Sequence, residues 1–273
     1  MNRPVFSIAF GLALLTLTGA WRASAAEEVW KGDRIVDAPV TIQRKTLRIE
    51  PGSRIAFKGE GRITVEDGNL VAAHAAFEAR STLTNRFRIV VQNGKLTLSR
   101  CRFKGLKTEK PDKAHFIFGF LRCQYGTGSR VEDCDFVDCD ALMMLNASHA
   151  EFSRNLSVRC VKTFATLNCS ECRFEGNEFF GTRAGLNLSG TRLSEVFRNR
   201  FTDCPIGLVL YYCQENRAFG NAFFGGNEGM QLWGLGPDGV FAGNRFEKVK
   251  YPFSKRGKND GSNVFRDNDT GTP

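Results

Sequence analysis

The sequence predicts an all-β fold in which a single chain winds into a stack of similar coils. The first observation is a short phrase, Asn-x-Phe, that recurs in the second half of the chain. Its Phe residues are spaced 22, 23 and 19 residues apart, at Phe201, Phe223, Phe246 and Phe265. The second observation is a Leu that recurs in step with the phrase, at Leu121, Leu145, Leu167, Leu188, Leu210 and Leu232. A repeat of about 20 to 25 residues built from short strands is typical of a solenoid.

Each repeat is predicted to form one coil of three short strands. Apolar and polar side chains alternate around the recurring Leu residues, as in Leu186-Asn187-Leu188, and this period of two places them on opposite faces of a strand. Gly, Asn and Asp cluster between the short apolar runs, which indicates turns. Stacked coils would pair their strands in parallel, about 4.8 Å apart.

The inward positions are predicted to form columns of like residues. The clearest column is made of Phe103, Phe136, Phe179, Phe201, Phe223 and Phe246. An Asn in the turn before each Phe can hydrogen-bond the coils above and below it, which satisfies backbone groups in an inward-facing turn.

The run from Asn199 to Leu232 resembles the right-handed parallel β-helix superfamily. It contains Asn-x-Phe twice. The first copy is followed by Ile206-Gly207-Leu208 and the second by Gly229-Met230. The superfamily includes pectate-lyase-like enzymes, carbohydrate-binding and sugar-hydrolase repeats, and periplasmic accessory proteins for copper insertion into nitrous oxide reductase. The resemblance implies one right-handed parallel β-helix domain over residues 26–273, with about 9–10 coils of about 22 residues each. Residues 27–50 and 255–273 are expected to cap its two ends.

The first residues predict export from the cytoplasm. Arg3 precedes an apolar stretch, and Ala23-Ser24-Ala25 has the small residues of a signal peptidase site. We therefore interpret residues 1–25 as a signal peptide and expect a secreted or periplasmic protein without a membrane span.

The charge balance favours an anionic partner. Without Arg3 and Arg22, the 38 basic residues become 36 against 29 acidic ones, so the net charge of the mature chain is +7. For an exported β-helix, a polysaccharide or cell-surface glycan is a better candidate than nucleic acid, and a monomer is expected. The alternative is a solvated basic surface with no specific partner.

Nine Cys residues leave two alternatives open. Cys101 and Cys134 occupy the position that Asn fills in later coils, and Cys139 and Cys160 form a second pair in register. Each pair could form a disulfide between neighbouring coils, or all nine could be buried free thiols. The CxxC spacing at Cys169 is better explained by turn and ladder positions than by a metal site.

The resemblance also implies a binding groove on the outer face of the strands that contain the recurring Leu. An inserted loop, Gly105 to His115, would form a basic lip on this groove. The residues predicted to bind substrate are Lys107, Lys110, Lys113, Asn146, Asn168, Tyr211 and Trp233. The two aromatic side chains could stack on sugar rings or pack against each other.

Candidate catalytic residues come from the turn beside this groove. Asp138 and Asp140 could bind Ca²⁺, the one cofactor that the sequence suggests, or act as a paired acid and base. The same turn offers Lys162 and Arg183 on the next two coils. With Arg122, these residues could neutralise a uronate carboxylate, take a proton and protonate the leaving oxygen in a polysaccharide lyase. The acidic turn could equally be a solvated edge.

Two functions therefore stay open. One is a β-helix that binds an anionic extracellular polysaccharide without catalysis, since motifs such as Gly-His-Gly and Asp-Pro-His-Asp are absent from the sequence. The other is a polysaccharide lyase or glycoside hydrolase that acts on an acidic glycan. A periplasmic accessory protein for a metal enzyme is a third, minor alternative.

Overall fold

The computed structural model describes residues 26–80, 88–107 and 119–271, and these ranges contain 31 short strands and no helix. The first strands are β1 (Glu27–Trp30), β2 (Asp33–Val36), β3 (Pro39–Gln43), β4 (Thr46–Ile49), β5 (Arg54–Phe57), β6 (Arg62–Glu66), β7 (Leu70–Ala73), β8 (Ala76–Ala79), β9 (Ile89–Gln92), β10 (Leu96–Ser99), β11 (Arg102–Lys104), β12 (Leu121–Gln124), β13 (Arg130–Glu132), β14 (Asp135–Val137) and β15 (Leu142–Leu145). The remaining strands are β16 (Glu151–Ser153), β17 (Leu156–Val158), β18 (Lys162–Leu167), β19 (Arg173–Glu175), β20 (Glu178–Phe180), β21 (Ala184–Ser189), β22 (Glu195–Phe197), β23 (Arg200–Thr202), β24 (Ile206–Tyr211), β25 (Arg217–Phe219), β26 (Ala222–Phe224), β27 (Glu228–Trp233), β28 (Val240–Ala242), β29 (Arg245–Glu247), β30 (Tyr251–Arg256) and β31 (Val264–Arg266).

The strands form three parallel sheets, and each coil contributes one strand to each sheet. The first sheet has 11 strands, from β1 to β31, and the second has 10, from β2 to β29. The third sheet also has 10 strands, from β3 to β30. In all three sheets every strand is hydrogen-bonded to the strand three elements further along the chain. The predicted all-β parallel solenoid is therefore confirmed.

The predicted column of Phe residues runs through the core. Phe201 and Phe223 are paired in register, and their ring centroids lie 4.7 Å apart with nearly parallel planes. The column is interrupted at Ser157, which pairs with Phe136 on one side and Phe179 on the other. Phe164 of the third sheet fills the gap, since its ring contacts Phe136 and Phe179 edge-on. The buried hydroxyl of Ser157 is hydrogen-bonded to those of Thr163 and Thr182, so the polar group that replaces the Phe has partners inside the core.

The Asn ladder joins one coil to the next. The side-chain amide of Asn199 donates to the carbonyl oxygen of Phe174 at 2.9 Å and to Oδ1 of Asn221 at 3.0 Å. Its own Oδ1 accepts the backbone N–H of Asn177 at 2.9 Å. The same pattern runs through Asn155, Asn177, Asn199, Asn221, Asn244 and Asn268. Each amide satisfies buried backbone groups that would otherwise lack partners.

The recurring Leu residues do not form a single column, which corrects the prediction. Leu188, Leu210 and Leu232 are paired and buried, but Leu167 pairs with Ser189 and Leu145 pairs with Leu167. Leu145 and Leu167 therefore lie on the outer face of the third sheet. A shift of one residue moves a side chain to the opposite face of a strand, so the predicted register was wrong by one residue in these two coils. It was wrong by two residues at Leu121, which is buried but lies in the column of Leu186, whereas Cys123 lies in that of Leu188.

All nine Cys residues are buried free thiols in the structure. Cys101 and Cys134 lie on neighbouring coils as predicted, and the backbone N–H of Cys101 donates to Sγ of Cys134 at 3.4 Å. Cys139 and Cys160 have the same contact, also at 3.4 Å. The structure thus has the free-thiol alternative and not the two possible disulfides. The sulfurs of Cys134 and Cys160 accept these backbone hydrogen bonds, whereas those of Cys101 and Cys139 donate to backbone carbonyl oxygens.

The predicted caps contribute to the sheets. Residues 27–50 contain β1 to β4, and the C-terminal residues include the end of β30 and the whole of β31. The predicted signal peptide lies outside the described residues. Over the part of the chain that the structure describes, no helix is long and apolar enough to cross a membrane.

Replacing Asn199 by Leu should destabilise the fold. At least two buried groups would lose their partners, at about 1–3 kcal/mol each, so we expect a loss of roughly 2–5 kcal/mol. Urea unfolding measures the change. The matched control is Asn227→Ala, since Asn227 is exposed and its substitution should cost less than about 0.5 kcal/mol. Equal unfolding midpoints for the two variants would contradict the role of the ladder.

The purified, denatured protein should react with nine equivalents of an alkylating agent without prior reduction, because the structure has nine free thiols. Mass spectrometry counts the modified residues. A count of fewer than nine modified residues would support the disulfide alternative, provided that Cys101 and Cys134, or Cys139 and Cys160, are protected together.

Candidate functional site

A groove runs along the outer face of the third sheet and crosses β15, β18, β21, β24 and β27. Its volume is about 720 Å³. The residues that line it are Met143, Val161, Lys162, Ala165, Thr166, Leu167, Arg183, Ala184, Asn187, Ser189, Ile206, Val209, Tyr211, Gln231 and Trp233. Among these described lining residues, the charged side chains are those of Lys162 and Arg183.

The floor of the groove is an outward column of paired residues from successive coils. Within the groove this column is formed by Met143, Ala165, Asn187, Val209 and Gln231. Met143 and Ala165 are buried and belong to a small apolar cluster that is separate from the main core. Neutral amides at Asn187 and Gln231 alternate with the apolar side chain of Val209. The floor can therefore contact the apolar face of a ligand and hydrogen-bond its hydroxyl groups.

Glycines shape the edge of the groove by breaking the alternation of the strands. Gly185, Gly207 and Gly229 face the Phe column, and a Cβ on Gly207 would lie 2.6 Å from the ring of Phe223. The next residue in each strand, such as Leu208, also points into the core. Two successive inward positions leave the residue before each glycine on the outside. β18 has the same break without a glycine, since Thr163 and Phe164 are both buried, and Lys162 precedes them at the edge of the groove.

One end of the groove is cationic. Lys162 begins β18, and Arg183 immediately precedes Ala184, with which Lys162 is paired on the next coil. Burial lowers the pKa of Lys162, and repulsion by the Arg183 guanidinium lowers it further. Arg183 is exposed. The two side chains together offer positive charge to an anionic group that enters this end.

The other end is aromatic. Tyr211 and Trp233 are paired on adjacent coils, and their ring centroids lie 5.9 Å apart at an interplanar angle of 40°. Tyr212 contacts Tyr211 edge-on at 4.4 Å. All three remain exposed, with 36% of Trp233 and 59% of Tyr212 accessible. The aromatic packing alternative is thus confirmed, and these rings still present surface to a ligand.

A buried carboxylate, which sequence reasoning missed, supports the aromatic end. Glu228 accepts hydrogen bonds from Gln231 Nε2 at 3.0 Å and from Arg256 Nη2 at 2.6 Å. Only 6% of Glu228 is exposed, whereas Arg256 lies at the surface, so the buried carboxylate has its charge balanced by a solvent-accessible guanidinium. Gln231 is held in place for the floor of the groove. The alternation around the Leu repeat could have predicted that Gln231 faces outward. It could not have predicted that Glu228 contacts Arg256 on the next coil.

Several predicted binding residues lie away from the groove lining. Asn146 and Asn168 are exposed in the turn after the strand, where both have positive φ angles. Asn146 and Asn168 occupy the same position in their coils as Tyr212 does in its own, and not the position of Tyr211. The reason is the one-residue difference in register at Leu145 and Leu167. Arg122 lies on the outer column but beyond the groove, beside Val90 and Met143.

The acidic turn is engaged by cations. Arg159 on the next coil donates twice to Asp138, at 2.8 and 3.1 Å, and Lys107 lies 3.7 Å from the same carboxylate. The hydrogen bonds from Arg159 hold the pKa of Asp138 below its ordinary value. Asp140 is buried, and neither Asp lines the groove. Lys110 and Lys113 lie outside the described residues.

The donor set for a metal ion is sparse. Over residues 26–80, 88–107 and 119–271, no three His, Cys, Asp or Glu side chains cluster closely enough to hold an ion.

A second cavity of about 460 Å³ lies along the first sheet and is bordered by Glu171, Glu195, Glu215 and Asp238. Arg217 also borders it, 4.0 Å from Glu195.

Gly207→Ala should destabilise the protein by about 1–3 kcal/mol, because the new methyl group would overlap the ring of Phe223 in a filled core. Thermal unfolding measures the loss. Gly261→Ala is the control, since nothing lies within 4 Å of a Cβ at Gly261. A melting temperature of Gly207→Ala equal to that of the control would contradict this account of the strand break.

Comparison with known proteins gives a family and a set of structural neighbours. A family model described as periplasmic copper-binding protein (NosD) matches residues 99–269. No curated protein matches the sequence significantly.

The structural neighbours share the fold at low sequence identity. The periplasmic alginate epimerase AlgG superposes with a TM-score of 0.59 at 10% identity, covering 87% of this chain and 78% of that one. The Dettilon tailspike protein gives 0.56 at 10% identity over 87% of this chain, which spans 63% of the tailspike. The Streptococcus pneumoniae surface protein and adhesin PfbA gives 0.50 at 8% identity, over 89% of this chain and 91% of that one. At these identities the likeness shows the fold alone.

Proposed function

The chain belongs to the NosD family, and from the groove on its third sheet we propose that it is a β-helix protein that binds an acidic polysaccharide. The single observation that carries this proposal is the groove itself, which combines two cations at one end with two exposed aromatic rings at the other. Anionic groups pair with Lys and Arg side chains, and sugar rings pack their apolar faces on Tyr and Trp. The chain's net positive charge would steer such a ligand towards it.

We place the protein in the periplasm or outside the cell. The family is described as periplasmic, the epimerase neighbour is described as periplasmic, and the first residues have the pattern of a signal peptide. The epimerase is named for alginate, which makes alginate one of the first polysaccharides to test.

Copper binding, which the family description names, has little support among the described residues. Soft thiolate, thioether and imidazole ligands favour copper, but the nine thiols are buried and spread over interior columns. His149 lies beside Glu171 at 3.4 Å with no further donor in a cluster of three. The described donor set therefore does not fit a resident copper ion, and we assign the protein no step that requires one.

Trp233→Ala should weaken polysaccharide binding about tenfold, because it removes one of two stacking surfaces, a change of about 1.4 kcal/mol. Arg183→Gln should weaken it by a similar factor and reduce its dependence on salt. Calorimetry with alginate, polygalacturonate, gellan and chondroitin sulfate at two salt concentrations measures both effects.

The matched controls are Phe180→Ala, which removes an exposed ring from the second sheet, and Lys58→Met, which removes an exposed charge far from the groove. Both should bind as the unsubstituted protein does. If none of the four polysaccharides binds, or if the controls weaken binding as much as the groove variants, the proposal fails.

The lowered pKa of Lys162 favours polysaccharide lyase activity as a second candidate. A neutral amine can take the proton at C5 of a uronate while Arg183 pairs with the carboxylate, so that the C4–O bond breaks and a C4=C5 double bond forms. The leaving oxygen takes up a proton. Because burial favours neutral Lys162, the active base form would appear at a lower pH than for an ordinary Lys.

If the protein is a lyase, ultraviolet absorbance of the unsaturated product should grow on incubation with alginate or polygalacturonate. The rate should rise with pH until Lys162 is deprotonated, below the ordinary pKa of about 10.4. Lys162→Met should abolish turnover, whereas Lys58→Met should not. If the unsubstituted protein binds the polysaccharide but the absorbance does not rise, only the non-catalytic function remains.

A further inference from the structure

We infer that the groove selects an acidic glycan whose charged units are separated by neutral sugars, and that it binds one charged unit at Lys162 and Arg183 and a neutral unit at Tyr211 and Trp233. This inference deepens the proposed function and rests on it. It comes from the distance between the two ends of the groove and from the chemistry of the floor between them.

The two ends are too far apart for one sugar to contact both. Trp233 lies three coils from Lys162 along the axis of the solenoid, as the pairing through Ser189 and Tyr211 shows. Three coil spacings amount to about 14 Å, and the position of Trp233 five residues further along the strand adds roughly 16 Å across the sheet. The ends are therefore on the order of 20 Å apart along the diagonal. A ligand that contacts both is an oligosaccharide of several units.

The floor between the ends is uncharged. A ligand that follows the diagonal crosses Ala184, Asn187 and Val209. Val209 is 8% exposed, so a carboxylate placed against it would lose hydration without gaining a cation. Asn187 offers a neutral amide, which pairs well with hydroxyl groups. Internal units with hydroxyl groups and no charge therefore suit the floor better than uronates.

The guanidinium at the far end does not change this pattern. Arg256 lies next to Trp233 in register, but it donates to Glu228 at 2.6 Å. Its charge is balanced by a buried carboxylate, although the guanidinium itself is exposed. The aromatic end thus presents rings beside an ion pair with no net charge, which suits a neutral sugar better than a uronate.

The decisive comparison is between two tetrasaccharides. One is a linear chain of a glucuronate followed by three neutral hexoses, and the other is tetragalacturonate, which carries a carboxylate on every unit. We expect the first to bind about tenfold more tightly by calorimetry. Equal affinities, or tighter binding of tetragalacturonate, would overturn the inference while leaving the proposed function in place. Failure of both ligands and of all four polysaccharides would remove the proposed function as well.

Variants separate the two ends. Free glucuronate should lose affinity on Arg183→Gln and be unaffected by Trp233→Ala, whereas the mixed tetrasaccharide should lose about tenfold on either change. Phe180→Ala and Lys58→Met should leave both ligands unchanged. If Trp233→Ala affects free glucuronate as much as the tetrasaccharide, the two ends do not act as separate subsites and the inference is wrong.

Discussion

The hydrogen bond from one coil to the next through a buried Asn amide is the interaction on which the structure depends. Asn199 contacts the coil on each side of it, and its equivalents continue the chain of amides through six coils. Because each amide must meet the next at about 3 Å, every coil has to keep the same register. The stacked rings of Phe201 and Phe223 depend on that register, and so does the alignment of side chains on the outside.

The groove follows from this constraint. Once the coils are in register, a residue type that recurs at one outward position becomes a continuous surface. Tyr211 and Trp233 become neighbours although 22 residues separate them. The second element is a break in alternation at the start of the strands. In β18 Thr163 and Phe164 are both buried, which leaves Lys162 on the outer edge, and Gly185 and Gly207 allow the same break in the next two coils. Core packing and the position of a functional side chain are thus coupled through the same strand.

The fold could be predicted from the sequence because its repeated residues are buried and their spacing equals one coil. The Phe column and the Asn ladder gave the correct register up to Phe246. The last Asn-x-Phe phrase does not continue them, since Phe265 pairs with Phe241 in the first sheet and the ladder continues from Asn244 to Asn268. The Leu repeat failed at Leu121, Leu145 and Leu167. In β15 the reason is physical, because the strand is apolar on both faces and its alternation carries no information about which face is inward. In β18 the polar Thr166 takes the inward position and Leu167 the outward one. The correct phase could have been taken from Asn187 and Gln231, whose polar side chains mark the outer face.

The site was predicted only in part because its residues are selected by contacts between coils. Lys162, Arg183, Tyr211 and Trp233 line the same groove, on the sheet where the layout of the superfamily implied one. Asp138 looked like a catalytic acid in isolation, yet Arg159 lies 21 residues later, one coil further on, and binds its carboxylate. Asp133 and Arg154 repeat this pair. In a solenoid, an acidic residue should therefore be judged with the residue one coil away. By that criterion the acidic turn supports the stack of coils, and the unusual feature of the outer surface is the groove, which has Lys162 and Arg183 at one end and Tyr211 and Trp233 at the other.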